Sequence, residues 1–454
     1  MNLEPRSNYH QDIIGLLSFA NEVNREDLKA SGISKSALFQ PWRVSLWEYA
    51  GDIYYHTGNL QAASEHYKKA FQIKQLSTAG KIQYGNILYI EEEMDQAVNI
   101  WDSVEDPKYL PDEVLEKMVF ILRNNEEYEK ALVTLEVWLQ FNPQAQTYYQ
   151  AGTVSLVISE SKALFYLEKA AEFEVSYASI VENFVAKMNE EATLNSVVYK
   201  KLQIGRFLGN LGEWDLAARL FDDGLMLAPQ YAELWALKGE AADHLGEDGW
   251  EYLSKAKELA PDSVLVMALE AVYWQRNGEQ EKALSNLSAI AKYEPEVGIW
   301  QIEIGNTLAE LGNLGEALQH YQKAAQIEPS NPAMWAMLAQ FCVNNFMELR
   351  TTGLAAAREA LTLSPENPDY QDLMGTVMMG LGDKHSAVRY YHLALKNDSE
   401  FSSAYLHLAQ YYLQEAEYQK AYSNLIRAYT YSQEETYNKQ ISRRLLERYF
   451  NFND

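Results

Sequence analysis

The chain has 454 residues, with 64 acidic against 38 basic side chains and a formal net charge of −26. That balance opposes general nucleic-acid binding, which draws its affinity from lysine and arginine at phosphates, and it opposes docking on an anionic membrane. A single cysteine, Cys342, excludes an internal disulfide and a thiolate zinc site, and no stretch approaches the roughly 18 apolar residues of a membrane span.

Residues 1–43 read as an N-terminal capping segment, in which Ile13, Ile14, Leu16, Leu17, Phe19 and Ala20 suit one amphipathic helix. No basic region runs into an apolar stretch there, so no signal peptide is expected and the cytoplasm is the expected location. From Val44 a pattern of roughly 34 residues sets in. Copies begin near Val44, Thr78, Asp112, Ala145, Val198, Ala232, Val264, Gly298, Pro332, Pro368 and Ser402. Each copy predicts two short antiparallel helices, and none can bury its apolar face alone. The first four fill residues 44–173 and the other seven residues 196–435.

Each recurring residue has a packing reason. Glycine or alanine in the first helix (Gly51, Gly205, Gly305) and alanine in the second (Ala63, Ala217, Ala317) suit close approach of two backbones. Aromatic residues such as Tyr54, Trp101, Phe221 and Tyr321 fill the space between. Glycine followed by a polar residue, as in Gly58-Asn59 and Gly312-Asn313, ends the first helix, and prolines such as Pro229 and Pro329 end the second. Three copies depart: the fourth is one residue short near Ser159, the sixth lacks about two before Trp250, and the ninth has about two extra around Phe346–Thr352.

Residues 174–195 interrupt the pattern. Tyr177, Ile180, Val181, Phe184, Val185 and Met188 form a helical stripe that belongs to no copy, so an inserted helix is expected, as a structural splice or a contact element. Residues 436–454 offer Ile441, Leu445 and Leu446 on one face with Arg443, Arg444 and Arg448 between, which suits a C-terminal capping helix.

At Trp47, Gly51, Tyr54, Gly58, Ala63, Tyr67 and Ala70, and again at Gly305, Leu308, Gly312, Ala317, Tyr321, Ala324 and Pro329, the chain resembles the tetratricopeptide-repeat (TPR) family. The resemblance covers roughly nine-tenths of the chain. It implies an all-α fold, a right-handed α-solenoid or superhelix of about eleven helix pairs with capping helices at both ends. It also implies a concave surface lined by repeat positions two, five, six and nine of each first helix. Carboxylates recur there: Glu48 and Asp52 in the first copy, Glu113 and Glu116 in the third, Glu233 and Glu240 in the sixth, Asp369 and Asp372 in the tenth. Tyr149 and Gln150 of the fourth copy and Asn306 of the eighth supply aromatic and amide groups. These eleven residues are the candidate partner-binding set, suited to a basic or mixed basic-apolar protein segment. The competing explanation is that a strongly acidic chain places acids everywhere.

The family's clamp for acidic chaperone tails is absent. Asn86 and Asn306 hold position nine, but Ile82 and Ile302 stand where lysine is required, and position six of the following copies is Lys117 and Met337. Eight scattered histidines give no metal-ligand spacing, and no phosphate-binding glycine loop or nucleophile motif occurs. No catalytic, cofactor or metal residues are assigned, and the chain is expected to be a non-catalytic scaffold or adaptor. Nothing indicates a homo-oligomer. Two alternatives stay open: a regulatory subunit touching a separate enzyme through the inserted helix or the convex face, and an RNA-binding helical repeat.

Overall fold

A computed structural model describes residues 26–189, 196–432, 436–450 and 452; the stripe from Ile13 to Ala20 lies outside them. Among the described residues the regular structure is helical, with no strand. Glu26–Phe39 packs on the helix after it, joining Ala30 and Ile33 to Ala50 and Ile53.

Among the described residues eleven antiparallel helix pairs follow. Repeat 1 pairs Val44–His56 with Leu60–Ile73, repeat 2 Thr78–Ile90 with Met94–Asp102, and repeat 3 Asp112–Asn124 with Tyr128–Phe141. Repeat 4 pairs Ala145–Ser155 with Glu160–Phe173; the helix Ala178–Met188 then precedes repeat 5, Val197–Asn210 with Trp214–Leu227. Repeat 6 is Ala232–His244 with Trp250–Leu259, repeat 7 Val264–Arg276 with Gln280–Tyr293, and repeat 8 Gly298–Glu310 with Leu314–Ile327. Repeat 9 is Pro332–Asn345 with Leu354–Leu363, repeat 10 Pro368–Gly380 with Lys384–Asn397, and repeat 11 Ser402–Gln414 with Tyr418–Tyr431. Tyr437–Phe450 closes the series, and its Leu446 joins the core of repeat 11 with Leu425 and Ala428. Two compact units result: one runs to Pro229 and takes in His244–Gly246, the other holds 230–243 and 247–454.

Small residues set the spacing inside a pair. A β-carbon on Gly85 would lie 2.2 Å from the indole nitrogen of the fully buried Trp101, whose N–H donates to the Ile82 carbonyl at 3.2 Å. Alanine at the matching second-helix positions (Ala63, Ala97, Ala131, Ala217, Ala317) is likewise fully buried. The turn inside every described pair but that of repeat 4 uses a left-handed residue. Gly58, Gly212, Gly246, Gly278, Gly312 and Gly382 supply it with φ between 74° and 84°, whereas repeats 2, 3 and 11 place Glu92, Glu126 and Ala416 there, at 62°, 57° and 58°. The extra residues of repeat 9 are absorbed by two left-handed residues, Phe346 and Glu348, and by a widened turn at Leu349–Gly353. Cys342 of this repeat is fully buried, and burial pushes its thiol up to about 11.

The first unit breaks one expectation of a simple stack, that each repeat touches only its neighbours. Arg123, at the end of the first helix of repeat 3, reaches past repeat 4 to the second helix of repeat 5. It grips Asp215 with two bonds of 2.6 and 2.9 Å and donates to Glu213 at 2.6 Å. Arg219 returns the contact to Glu126 at 2.9 Å. The first helix of repeat 4 has 11 residues against 13 in repeat 3 and 14 in repeat 5, so it ends roughly 3 Å early at the usual rise per residue. That shortfall opens the path between the flanking turns.

Candidate functional site

In the second unit the first helices of repeats 7, 8 and 9 wall an open cavity of about 800 Å³. A smaller one, about 220 Å³, opens on repeats 9, 10 and 11. Their linings follow one register. Counting from the start of each first helix, positions nine and thirteen are Asn306 and Glu310, Gln340 and Asn344, Thr376 and Gly380, Gln410 and Gln414, and all eight line these cavities. Positions four apart on a helix share a face, and stacked repeats align that face from one pair to the next.

The groups at position nine are neutral hydrogen-bonding side chains. Asn306 accepts from the Tyr321 hydroxyl with its carbonyl oxygen, and its NH₂ makes no bond among the described residues. Gln340 donates to Asn344 at 2.7 Å, and Thr376 donates to the Asp372 carbonyl at 3.1 Å. Between these stand Ile302, Met337 and Phe341, with Tyr321 stacked on Phe341 at 4.5 Å between ring centres. Burial, and then the Glu303 carboxylate, push the Tyr321 hydroxyl up to about 12. Glu303 and Glu310 are the carboxylates of the larger cavity and make no ion pair among the described residues; its Arg276 is held by Glu240 at 2.7 Å.

The sequence-selected residues fall into three groups. Asn306 lines the larger cavity described above. Five are tied to other parts of the chain. Glu48 accepts from the Ser77 backbone N–H at 2.6 Å, fixing the entry to repeat 2, and Asp52 accepts from the buried Tyr67 hydroxyl at 2.5 Å. Glu240 holds Arg276, as above. Tyr149 lies 5.2 Å from Tyr177 between ring centres, and burial, then Glu213, push its hydroxyl up. Asp372, 6% exposed, accepts from His407 Nδ1 at 2.9 Å. The remaining five, Glu113, Glu116, Gln150, Glu233 and Asp369, make no side-chain hydrogen bond or ion pair with the described residues, and Glu113, Glu116 and Asp369 are exposed.

Sequence reasoning missed the position-thirteen side chains and the neutral run at position nine. The signal lies in the helical period, since position thirteen is one turn beyond nine on the same face, and not in the charge pattern. Among the described residues no group of three or more histidine, cysteine, aspartate or glutamate side chains could hold a metal ion. No described helix is long and apolar enough to cross a membrane.

Comparison with known proteins agrees with the repeat. The family model described as "Tetratricopeptide repeat" matches residues 45–75, and that described as "TPR repeat" matches residues 305–340. Small glutamine-rich tetratricopeptide repeat-containing protein 2 of Mycosarcoma maydis is 28% identical over 114 residues, which are 25% of this chain and 28% of that protein. The match thus spans little more than a quarter of that relative's length. Among solved structures, yeast Tom70 aligns with a TM-score of 0.45 at 13% identity, over 97% of this chain and 96% of that one. The APC/C hetero-tetramer Cut9-Hcn1 aligns with a TM-score of 0.38 at 13% identity, over 96% of each chain.

Proposed function

The chain belongs to the tetratricopeptide-repeat superfamily, whose repeats support a protein-interaction scaffold in general, and we propose that the inner face of its second unit captures an extended segment of a partner protein. The observation that carries this reading is the run Asn306, Gln340, Thr376 and Gln410, at one repeat position in four successive repeats and all lining cavities. Amide and hydroxyl side chains can donate to and accept from peptide groups whatever side chain the peptide carries. Apolar sockets at Ile302, Met337 and Phe341 supply burial, and Glu303 and Glu310 favour a basic residue in the segment. Recognition would then rest on the partner's backbone first and its charge second.

The test is capture of partners from native extract on the full chain, identified by mass spectrometry, repeated with the triple variant Asn306→Ala, Gln340→Ala, Gln410→Ala. Partners lost on the triple variant and kept on Glu113→Gln support the second unit as the capture surface. Partners kept on the triple variant sink that assignment. A second variant, Glu303→Gln with Glu310→Gln, reads the charge preference: basic segments should weaken about threefold to tenfold and neutral ones should not change.

A further inference from the structure

The inserted helix Ala178–Met188 stands where a repeat would place a first helix, packed on Glu160–Phe173 behind it and on Val197–Asn210 ahead. Phe184, 2% exposed, pins it against Phe207 with ring centres 5.4 Å apart. Between this helix and repeat 5 lies an open pocket of about 550 Å³. Ile180, Phe207 and Leu211 give it apolar wall; Asn183, Gln203, Arg206 and Asn210 give it polar lining, with Lys187 beside them.

Two of these residues point to a ligand independently. Gln203 is 4% exposed, lines the pocket, and its amide makes no hydrogen bond among the described residues. Neither of its amide atoms is both enclosed and unpaired, so the amide tip opens on the pocket, where a bound group can take its hydrogen bonds. Arg206 is exposed and makes no ion pair among the described residues, in a chain whose net charge is −26. Its neighbours on the same helix are each satisfied: Lys200 by Glu160 at 3.1 Å and Lys201 by Asp223 at 2.8 Å. A guanidinium left without a carboxylate among so many acids is a local exception to the charge of the whole.

We propose that this pocket is a second binding site, taking a carboxylate side chain from an acidic-apolar segment of a partner. The Arg206 guanidinium presents parallel N–H donors that match a carboxylate, and the Gln203 amide supplies another from within the pocket. Ile180, Phe207 and Leu211 cover an apolar neighbour of the bound acid. The charge preference is opposite to that of the groove in the second unit, so the two sites select different segments.

The test uses the full chain and an end-blocked, fluorescein-labelled peptide of alternating glutamate and leucine, read by anisotropy, with the lysine-leucine peptide as counterpart. The acidic peptide should bind. Arg206→Glu should weaken it about tenfold or more, and Arg206→Lys, which keeps the charge but loses the paired donors, should weaken it several-fold. Gln203→Leu, which leaves the charge alone, should weaken it several-fold. The triple groove variant Asn306→Ala, Gln340→Ala, Gln410→Ala should leave it unchanged. Arg206 makes no side-chain hydrogen bond or ion pair among the described residues, so its variants should stay close to the wild-type thermal midpoint. No binding of the acidic peptide up to about 1 mM, a range that spans weak interactions, or equal binding by Arg206→Glu, overturns the proposal. A loss that follows the groove triple variant instead moves the acidic segment to the second unit and overturns it as well.

Discussion

Arg123 carries one positive charge between two carboxylates, with 16% of its side chain exposed, and Glu213 and Asp215 are only 15% and 24% exposed. Removing the arginine would leave two acids facing each other with little water. Arg123→Met should therefore destabilise the first unit by about 3 kcal/mol, the low end for breaking a buried pair, because these groups keep some solvent contact. Urea unfolding measures the loss, and adding Glu213→Gln with Asp215→Asn should recover most of it. Two histidines respond to pH in opposite directions. His66 Nδ1 faces the Ala62 carbonyl at 2.6 Å, which can only accept, so that nitrogen carries the proton and Nε2 accepts from the Ser34 hydroxyl at 2.6 Å. Burial lowers its pKa below the ordinary value, so it costs stability as pH falls through that ordinary value toward the folded one. At His407 burial also acts downward, but the Asp372 carboxylate outweighs it through charge and hydrogen bond, and the net shift is upward. Its contribution is complete below the ordinary histidine value and is lost as pH rises through the folded one. The urea midpoint of wild type should exceed that of Asp372→Asn by a margin that grows from about pH 8 to about pH 6, while His66→Gln gains on wild type over the same range. An unchanging margin in either case would remove that histidine from the pH response.

At the scale of the helix pair, most of the fold could be read in advance because its determinants are local. Glycine at the turn, small residues at the crossing and proline after the second helix are visible within one 34-residue window. The turns of repeats 2, 3 and 11 lack the glycine signal, since Glu92, Glu126 and Ala416 take the left-handed conformation instead. Ala416→Gly should stabilise the chain by about 0.5–1 kcal/mol, the left-handed strain relieved less the added freedom of glycine when unfolded. Gly85→Ala should act the other way by about 1–3 kcal/mol, because Trp101 occupies the space. Thermal melts of the two variants check both signs. The helix Ala178–Met188 was legible as a stripe, but of its residues only Phe184 is buried. What it builds was not legible, since the pocket depends on Gln203 and Arg206 of the next repeat, and periodicity does not say which face an insertion presents.

For the whole molecule, the total charge could be read but not its distribution. Counting acids suggested an acidic groove, yet Glu48, Asp52, Glu240 and Asp372 are spent on turns, hydroxyls, an arginine and a histidine. Such pairings join residues from 15 to 36 apart in sequence and need the packed pairs before they appear. The net charge of −26 still acts at long range. Raising salt from about 10 to 150 mM shortens the screening length from about 30 to 8 Å, which relieves repulsion between distant acids. Exposed ion pairs weaken too, but each contributes only about 0–1 kcal/mol. The thermal midpoint should rise with salt over this range; a fall would mean that the ion pairs outweigh the repulsion.

The grip of Arg123 on Asp215 spans 92 residues. During synthesis, at the usual rates of chain growth, Asp215 emerges roughly 5–20 s after Arg123. For that interval repeat 3 must stand with its arginine unmatched, held by its own core and by repeats 1 and 2. Completion of repeat 5 then acts as a delayed lock, so a pause or truncation between the two residues would leave a folded but unlocked intermediate on the ribosome.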